Sequence, residues 1–225
     1  MILRFFSAAE VGKRDCFRSI TSLGHILPFF FASICLALTP LPYHKVKFVY
    51  DGDTILLASG EKVRYLGIDA PEIDHTGGNS EFMASAARDF NIELVNRTQV
   101  RLEFDQEKRD RYGRLLSHVF LKNGKMVNAM VVRKGLAHVM LKSQDFKYKD
   151  LFLDCQRKAM KDRLGIWSRP FKHQEEFYSG NKNFFRFHRP SCPFGSRILA
   201  RNLIRFDTRH DAFWEGYSPC KRCRP

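Results

Sequence analysis

The fold of this chain is decided by residues 48–72, which read FVYDGDTILLASGEKVRYLGIDAPE. Apolar and polar residues alternate along this stretch, and two Gly-containing turns, DG at 51–52 and SG at 59–60, interrupt the alternation. A period of two that is broken by such turns is typical of short antiparallel strands. Strands are therefore predicted over residues 44–50, 54–59 and 61–68.

The same reasoning extends along the chain toward its carboxyl end. Two more strands are predicted over residues 99–105 and 114–121. Helices are predicted from a cap at Asn79 or Ser80 to about residue 97, over 126–135 with an end at Gly135, and over 146–163. These elements fit a mixed α+β fold, mainly β, in which five strands close into a barrel of the oligonucleotide-binding (OB) type. Such a barrel leaves no long strand edge exposed.

Acidic side chains stand at both ends of the predicted hairpin, with an arginine between them. They are Asp51 and Asp53 at one end, Asp69 and Glu72 at the other, and Arg64 on the intervening strand. Paired strands bring such distant residues within side-chain reach of one another. Carboxylates supply the oxygen ligands that a hard cation such as Ca²⁺ prefers. An acidic pair beside a fixed arginine therefore indicates a site for a cation and a phosphate.

Hydrolysis of a phosphodiester needs neutralised charge on phosphorus and an activated water. Arg64 and Arg114 are the candidates for bidentate hydrogen bonds to the phosphate oxygens. Glu72 is the candidate general base, and Asp53 and Asp69 are the candidate calcium ligands. These five residues form the predicted active site.

Each of these residues also has an ordinary structural interpretation. A lone Asp-Gly-Asp is more often a turn than a metal site. Arg64 alone could form a strand salt bridge, Arg114 could be a solvated loop charge, and Glu72 could be a helix-start acid. Three further acids, Glu103, Asp105 and Asp110, are interpreted as structural partners of nearby basic residues.

Six short pieces of sequence carry a resemblance to a known family. They are VYDGDT, VRYLGIDAPE, DRYGR, NGKMVN, VRKGLA and LGIW, and they occur in this order across residues 44–168. In this order they resemble the staphylococcal (micrococcal) nuclease family. The resemblance implies an OB-fold nuclease that depends on Ca²⁺ and leaves 3′-phosphate and 5′-hydroxyl ends on DNA or RNA. The alternative is a non-catalytic binding protein on the same fold, and the retained acids favour the enzyme.

The resemblance also implies roles for individual residues. The calcium ligands would be Asp53, Asp69 and the main-chain carbonyl of Ala70, with Asp51 in the outer shell. The catalytic residues would be Arg64, Glu72 and Arg114, and Tyr112 would contact the nucleotide. After the GLA segment this chain reads HVMLKSQ, where the type member of the family has tyrosines.

The carboxyl-terminal part, residues 183–225, has the spacing of a zinc module and follows a predicted linker over 169–182. Cys220-x-x-Cys223 can supply two ligands and His188-x-x-x-Cys192 the other two, which is an ordinary structural zinc set. RPSC followed by GYSPCKRC resembles the zinc-binding domain of Ada-type DNA alkylation-repair proteins. The alternative is a disulfide between Cys220 and Cys223, or no bond.

This module differs from the Ada-type zinc domains at one candidate metal ligand, His188. In the Ada-type proteins a methyl-accepting cysteine stands at that position, and an imidazole lacks the thiolate nucleophile. No methyl transfer is therefore expected, which argues against a repair methyltransferase. The predicted module is a basic zinc domain that could hold DNA.

The composition indicates the class of partner. The 225-residue chain has 38 Lys and Arg against 24 Asp and Glu, a formal net charge of +14. Such an excess favours a polyanion, most commonly nucleic acid, although a basic surface kept for solubility is the alternative. DNA and RNA are expected as substrates. No obligatory protein partner is implied, and a monomer is expected.

The amino-terminal residues 1–41 read as an export signal. Residues 26–38, ILPFFFASICLAL, are thirteen uncharged residues that follow Lys13, Arg14 and Arg18 and precede Pro40 and Pro42. This order is typical of a secretory signal, and the apolar run is short of the ~20 residues of a spanning helix. Secretion or a periplasmic location is expected, with an uncleaved membrane anchor as the alternative.

Overall fold

The computed structural model describes residues 42–143, 145–171 and 174–225. The predicted leader, residues 1–41, lies outside these ranges. Within them, no helix combines the length and the apolarity that crossing a membrane requires.

Five strands of the central part close into a barrel, as the alternation predicted. They are β1 (Tyr43–Val49), β2 (Thr54–Leu57), β3 (Lys62–Tyr65), β5 (Gln99–Arg109) and β6 (Leu115–Phe120), in the order β1-β2-β3-β6-β5. The pairs are antiparallel except for β3 with β6, which is parallel. Val46, Ile55 and Val119 are fully buried, so the inward-facing apolar positions fill the barrel.

Two short strands and three helices complete the central part. Strand β4 (Ile68–Asp69) pairs with β7 (His138–Val139), and the helices are α1 (Ala84–Val95), α2 (Val127–Arg133) and α3 (Lys149–Lys161). Gly135 follows α2, at the predicted end of the helix, and its φ of 72° is the left-handed conformation common just after a helix. Strand β5 runs four residues beyond its predicted end because Arg109 still pairs with Leu115.

The predicted start of the first helix at Asn79 or Ser80 is wrong. The helix begins at Ala84, and Met83 before it has a left-handed backbone with no side-chain cap. The hydroxyl of Ser80 instead accepts the Asp74 N–H, and the Glu81 N–H donates to the carbonyl of Glu72. Residues 72–81 therefore form a loop with its own internal hydrogen bonds. Ser80, which was predicted to cap the helix, stabilises this loop instead.

The carboxyl-terminal part forms a second sheet. Its strands are β8 (Tyr178–Asn181), β9 (Arg186–His188), β10 (Leu203–Phe206) and β11 (Ser218–Pro219), in the order β10-β8-β9-β11. Helix α4 (Arg209–Trp214) begins with a capping box in which Thr208 and Asp211 satisfy each other's backbone N–H groups. Strand β8 lies inside the segment 169–182 that was predicted as a linker. The boundary between the two parts stays a prediction.

This second sheet packs onto the central part through α3 and α4. The ring of Phe213 lies 5.0 Å from the ring of Trp167 and 5.2 Å from that of Phe187. The Nε atom of Arg157 on α3 donates to the carbonyl of Trp214 at 3.0 Å, and Gln156 donates to that of Phe213. Aromatic packing and buried hydrogen bonds therefore join the two parts.

His118 is a fully buried histidine on β6. Its ring lies against Tyr148 at 4.9 Å and against Phe146 and Phe152 at 5.8 Å, and neither ring nitrogen has a hydrogen-bond partner among the described residues. Burial lowers the pKa of His118 from its ordinary 6.5 to about 4. The native state therefore holds this ring neutral.

We expect the fold to lose stability as the pH falls from about 6.5 to about 4, because unfolded His118 binds a proton that the native ring refuses. The loss from this residue should reach about 2–3 kcal/mol at the acid end. His118→Phe, which keeps an aromatic ring, should flatten the dependence in urea unfolding measured across this range. An unchanged pH dependence in the variant would exclude His118 as its source.

Candidate functional site

The loop between β1 and β2 is a tight acidic turn that hydrogen bonds from neighbouring elements hold in place. The N–H of Asp53 donates to Oδ1 of Asp51 at 2.8 Å. Asn91 on α1 donates from Nδ2 to the carbonyl of Asp51 at 2.9 Å and accepts the hydroxyl of Tyr65 at 2.8 Å. The turn is therefore fixed to α1 by a buried polar network.

Gly52 allows this close approach of the turn. A Cβ atom at Gly52 would lie 2.7 Å from the Cβ of Ala87 on α1 and 2.8 Å from the Cβ of Ala70 after β4. Any side chain there would push the turn away from both elements. Close packing therefore requires glycine at position 52. The absence of a side chain there lets the turn approach β4 closely enough for Asp53 to accept the N–H of Ala70.

The guanidinium of Arg64 lies between two carboxylates. Its Nη1 atom is 2.6 Å from Oδ2 of Asp53, and its Nη2 atom is 2.6 Å from Oδ1 of Asp69. Nη1 also donates to the carbonyl of Ile68 at 3.0 Å, and Oδ2 of Asp53 accepts the N–H of Ala70 at 2.6 Å. Arg64 and Asp53 are only 6% and 3% exposed. The structure thus brings together three of the predicted site residues in one buried cluster.

The electrostatics of this cluster favour a further cation. Burial raises the pKa of Asp53 well above its ordinary value, and the neighbouring carboxylates of Asp51 and Asp69 raise it further against the effect of Arg64. Burial lowers the pKa of Arg64, but the same acids outweigh burial and hold that pKa above its ordinary value. Around Asp53, one buried guanidinium thus faces three acids, so positive charge is in deficit there.

The donor atoms fit a hard cation such as calcium. Asp53 and Asp69 offer carboxylate oxygens that are close enough for one guanidinium to bridge them, and Asp51 stands in the same turn. Oxygen donors of this kind are those that Ca²⁺ takes. Arg64 engages one oxygen of each acid in this structure.

Glu72 lies beside this cluster on the exposed loop that precedes α1. Its backbone N–H donates to the carboxylate of Glu81 at 3.0 Å, which fixes the main chain at this position. Partial burial and the charge of Asp51 raise the pKa of Glu72, and Arg64 opposes them. A raised pKa brings a carboxylate closer to the range in which general bases work.

Arg114 is held by a partner of its own. Its backbone N–H donates to Oδ1 of Asp110 at 3.0 Å, and its Nε and Nη2 atoms both lie 2.8 Å from Oδ2. The structural role predicted for Asp110 is thus confirmed. Arg114 precedes β6, in which Leu116 stands opposite Arg64. Within the described ranges Arg114 forms no ion pair with the acidic cluster.

Tyr112 projects from the same loop and is 68% exposed. The guanidinium of Arg114 lies 5.5 Å from the centre of its ring, and that of Arg111 lies 4.8 Å from it. An exposed ring flanked by two cations is suited to contact a nucleotide.

Two residues at the site carried no assigned role in the sequence analysis. His138 on β7 stands opposite Asp69 in the register, with Nε2 3.7 Å from Oδ2, and Nζ of Lys221 lies 3.7 Å from Oδ1 of the same acid. Burial raises the pKa of Asp69, but His138, Arg64 and Lys221 outweigh it and keep that pKa below its ordinary value. The pairing of β4 with β7 is long-range and left no local signal, whereas Lys221 lies inside the Cys-x-x-Cys motif.

The four predicted zinc ligands converge in the carboxyl-terminal part. The ligand atoms of His188, Cys192, Cys220 and Cys223 all lie within 4.8 Å of one another, and Nδ1 of His188 is 3.4 Å from Sγ of Cys192. A tetrahedral zinc with bonds of about 2.0–2.3 Å places its ligand atoms roughly 3.5–4 Å apart. One imidazole and three thiols at this spacing fit such an ion.

Backbone donors lie against two of the candidate zinc ligands, Cys192 and Cys223. Burial raises the pKa of Cys192, but N–H groups of Gly195 and Phe194 outweigh it and lower that pKa below its ordinary value. The N–H of Arg189 lies 3.4 Å from Sγ of Cys223. Such donors around sulfur are the supporting contacts expected at a metal site.

Comparisons with known proteins agree with both parts of this picture. The model of the family "Staphylococcal nuclease homologue" matches residues 62–169, and that of the "Metal binding domain of Ada" matches residues 166–225. The chain is 36% identical over 127 residues to the Thermonuclease of Staphylococcus intermedius, which covers 55% of this chain and 75% of the relative. It is 34% identical over 128 residues to the Thermonuclease of Staphylococcus hyicus, covering 56% and 75%.

A further relative is the Endonuclease YncB of Bacillus subtilis (strain 168), 40% identical over 124 residues that cover 53% of this chain and 58% of the relative. The barrel, the family match and the nuclease relatives together define the class: an enzyme that hydrolyses phosphodiester bonds. The chain belongs to the staphylococcal nuclease family, and its carboxyl-terminal part is similar to the metal binding domain of Ada.

We expect Arg64→Ala to lower the free energy of unfolding by about 3–5 kcal/mol in the absence of calcium, because it leaves two buried carboxylates without their counter-charge. Chemical denaturation at neutral pH measures this loss. Arg109→Ala is the matched control, since it breaks the exposed pair between Arg109 and Glu61 and should cost much less. Equal losses in the two variants would contradict a structural role for the buried bridge.

Proposed function

We propose that this chain is a calcium-dependent nuclease that hydrolyses phosphodiester bonds in DNA and RNA. The observation that carries the proposal is the buried bridge of Arg64 between Asp53 and Asp69, beside the carboxylate of Glu72. The Thermonuclease and Endonuclease relatives support the reaction class. The net charge of +14 supports a polyanionic substrate.

Calcium would be held by Asp53, Asp69 and the main-chain carbonyl of Ala70, with Asp51 in the outer shell. Bound there, it would supply the positive charge that a phosphodiester requires as negative charge accumulates on its oxygens. The deficit of positive charge around Asp53 favours this occupancy. The cation would also release Arg64, because the same carboxylate oxygens cannot serve both fully.

The released guanidinium of Arg64 on β3 would donate two hydrogen bonds to the phosphate, and Arg114, at the start of the neighbouring strand β6, would donate two more. Asp110 keeps Arg114 oriented through Nε and Nη2 and leaves the donors of Nη1 for the substrate. Tyr112 would contact the nucleotide with its exposed ring.

Glu72 would accept a proton from the attacking water. The new bond would form between the water oxygen and phosphorus, and the bond from phosphorus to the 5′ oxygen would break. The leaving 5′ oxygen would take up a proton from solvent and become a hydroxyl. The phosphate stays on the 3′ side, so the products carry 3′-phosphate and 5′-hydroxyl ends. The raised pKa of Glu72 favours this role, since a base is more effective when its pKa lies nearer the working pH.

We expect the purified protein to degrade labelled DNA and RNA when calcium is added and to stop when calcium is chelated. Glu72→Gln should lower kcat by about 10²–10⁴ because it removes the general base. Arg64→Ala and Arg114→Ala should each cost at least 10² because they remove donors to the phosphate. Lys122→Ala, an exposed lysine on the β6–α2 turn, is the control that should keep full activity.

Two outcomes would overturn parts of this account. Full activity of Glu72→Gln would remove Glu72 from the mechanism. Binding of DNA without any hydrolysis in calcium would favour the alternative, a non-catalytic nucleic-acid-binding protein. End-group analysis of the products tests the direction of cleavage.

We also propose that the carboxyl-terminal cluster holds one structural zinc ion and that this basic module takes part in nucleic-acid binding. The convergence of His188, Cys192, Cys220 and Cys223 supports the zinc site. Export through residues 1–41 and a monomeric state stay predictions.

Metal analysis of the purified chain should find one zinc per molecule. Cys192→Ser should lose the metal and lower the melting temperature, because a small module depends on such an ion for its stability. Cys155→Ser provides a matched control, since Cys155 is a half-buried thiol on α3 away from the cluster. A chain without zinc, or equal zinc content in the two variants, would contradict the site.

A further inference from the structure

A cleft of about 350 Å³ lies between the barrel and the carboxyl-terminal module. One wall carries Asp69, Glu72 and His138 of the barrel, and the other carries Cys220, Lys221 and Arg224 of the module. The candidate catalytic acids and the candidate zinc knuckle thus face the same space. The active site is therefore not formed by the barrel alone.

The backbone on both sides of Lys221 is fixed. The N–H of Cys220 donates to the carbonyl of Phe187 at 3.0 Å, which continues the pairing of β11 with β9. The N–H of Arg224 donates to the carbonyl of Cys220 at 2.9 Å, and Nη2 of Arg189 donates to the carbonyl of Arg224 at 3.0 Å. The knuckle therefore presents the side chain of Lys221 from a rigid base.

The contact that Lys221 makes with Asp69 is loose. Its Nζ atom lies 3.7 Å from Oδ1, which already accepts Arg64 at 2.6 Å, and the lysine side chain is 69% exposed. A charge-assisted hydrogen bond is about 2.7–2.9 Å long, and exposed pairs contribute little to stability. The small contribution of this pair to the stability of the fold therefore does not explain why the ammonium group of Lys221 lies next to the acidic cluster.

The distribution of charge in the cleft indicates another role for Lys221, which is to bind a negatively charged substrate. Glu72 and Glu81 on the barrel wall are not among the proposed calcium ligands, so a phosphodiester that approaches them meets like charge. Lys221 and Arg224 on the opposite wall supply the opposite charge, and the flexible stem of a lysine lets its three donors reach an oxygen several ångströms away. The module wall thus compensates the repulsion that the acidic wall creates.

We propose that the carboxyl-terminal module completes the nuclease cleft and that Lys221 binds a phosphate of the nucleic acid there. The inference rests on the proposed nuclease function and adds a substrate-binding residue from outside the barrel. It also gives the metal centre a role in the reaction, because two of its candidate ligands, Cys220 and Cys223, flank Lys221 in sequence.

Binding of a labelled single-stranded DNA oligonucleotide tests the proposal by fluorescence anisotropy, in a Glu72→Gln background with calcium and at several salt concentrations. Lys221→Ala should raise Kd by about three- to tenfold and reduce the slope of log Kd against log salt by about 0.7, the value for one lost contact on a single strand. Lys221→Arg should restore both. Lys122→Ala removes the same charge outside the cleft and should keep the slope of the parent.

Steady-state kinetics in the unmodified background provide the second readout. Lys221→Ala should raise KM and change kcat little, because the contact exists before and during the reaction. Equal Kd and equal salt slope for Lys221→Ala and Lys122→Ala would overturn the inference. Failure of the unmodified chain to hydrolyse DNA would instead overturn the nuclease proposal, and it would be seen without reference to either lysine variant.

Discussion

The bridge of Arg64 between Asp53 and Asp69 is the interaction on which the rest of the site depends. It joins the turn before β2 to the end of β4 through one strand of the barrel, with both contacts at 2.6 Å. Buried charges are costly unless they are paired, so the fold tolerates these acids only with a cation between them. In the proposed mechanism, calcium would replace the guanidinium at the carboxylates of Asp53 and Asp69, and a phosphate would replace the carboxylates at Arg64.

The two parts of the chain meet where this chemistry would occur. Phe213 on α4 packs against Trp167, and β11 leads directly to Cys220, a candidate zinc ligand that lines the cleft. A module that only stabilised the chain would have no need to place a lysine 3.7 Å from Asp69. The arrangement supports our proposal that the carboxyl-terminal module and the barrel act on one substrate.

The sequence predicted those features that local pattern determines. Period-two alternation and Gly-containing turns gave the barrel, and the spacing of His188 and the three cysteines gave the metal cluster. The start of α1 was missed because Ser80 caps a loop rather than the helix. His138 and Lys221 reach Asp69 through long-range strand pairing and domain packing, for which a single sequence carries no periodic signal.

A crystal structure with calcium and a thiophosphate dinucleotide that resists hydrolysis would test the central claim most directly. The account predicts a cation bound to Asp53 and Asp69, with the guanidinium of Arg64 moved onto oxygens of the phosphate. A cation bound elsewhere, with Arg64 still bridging both carboxylates, would contradict it.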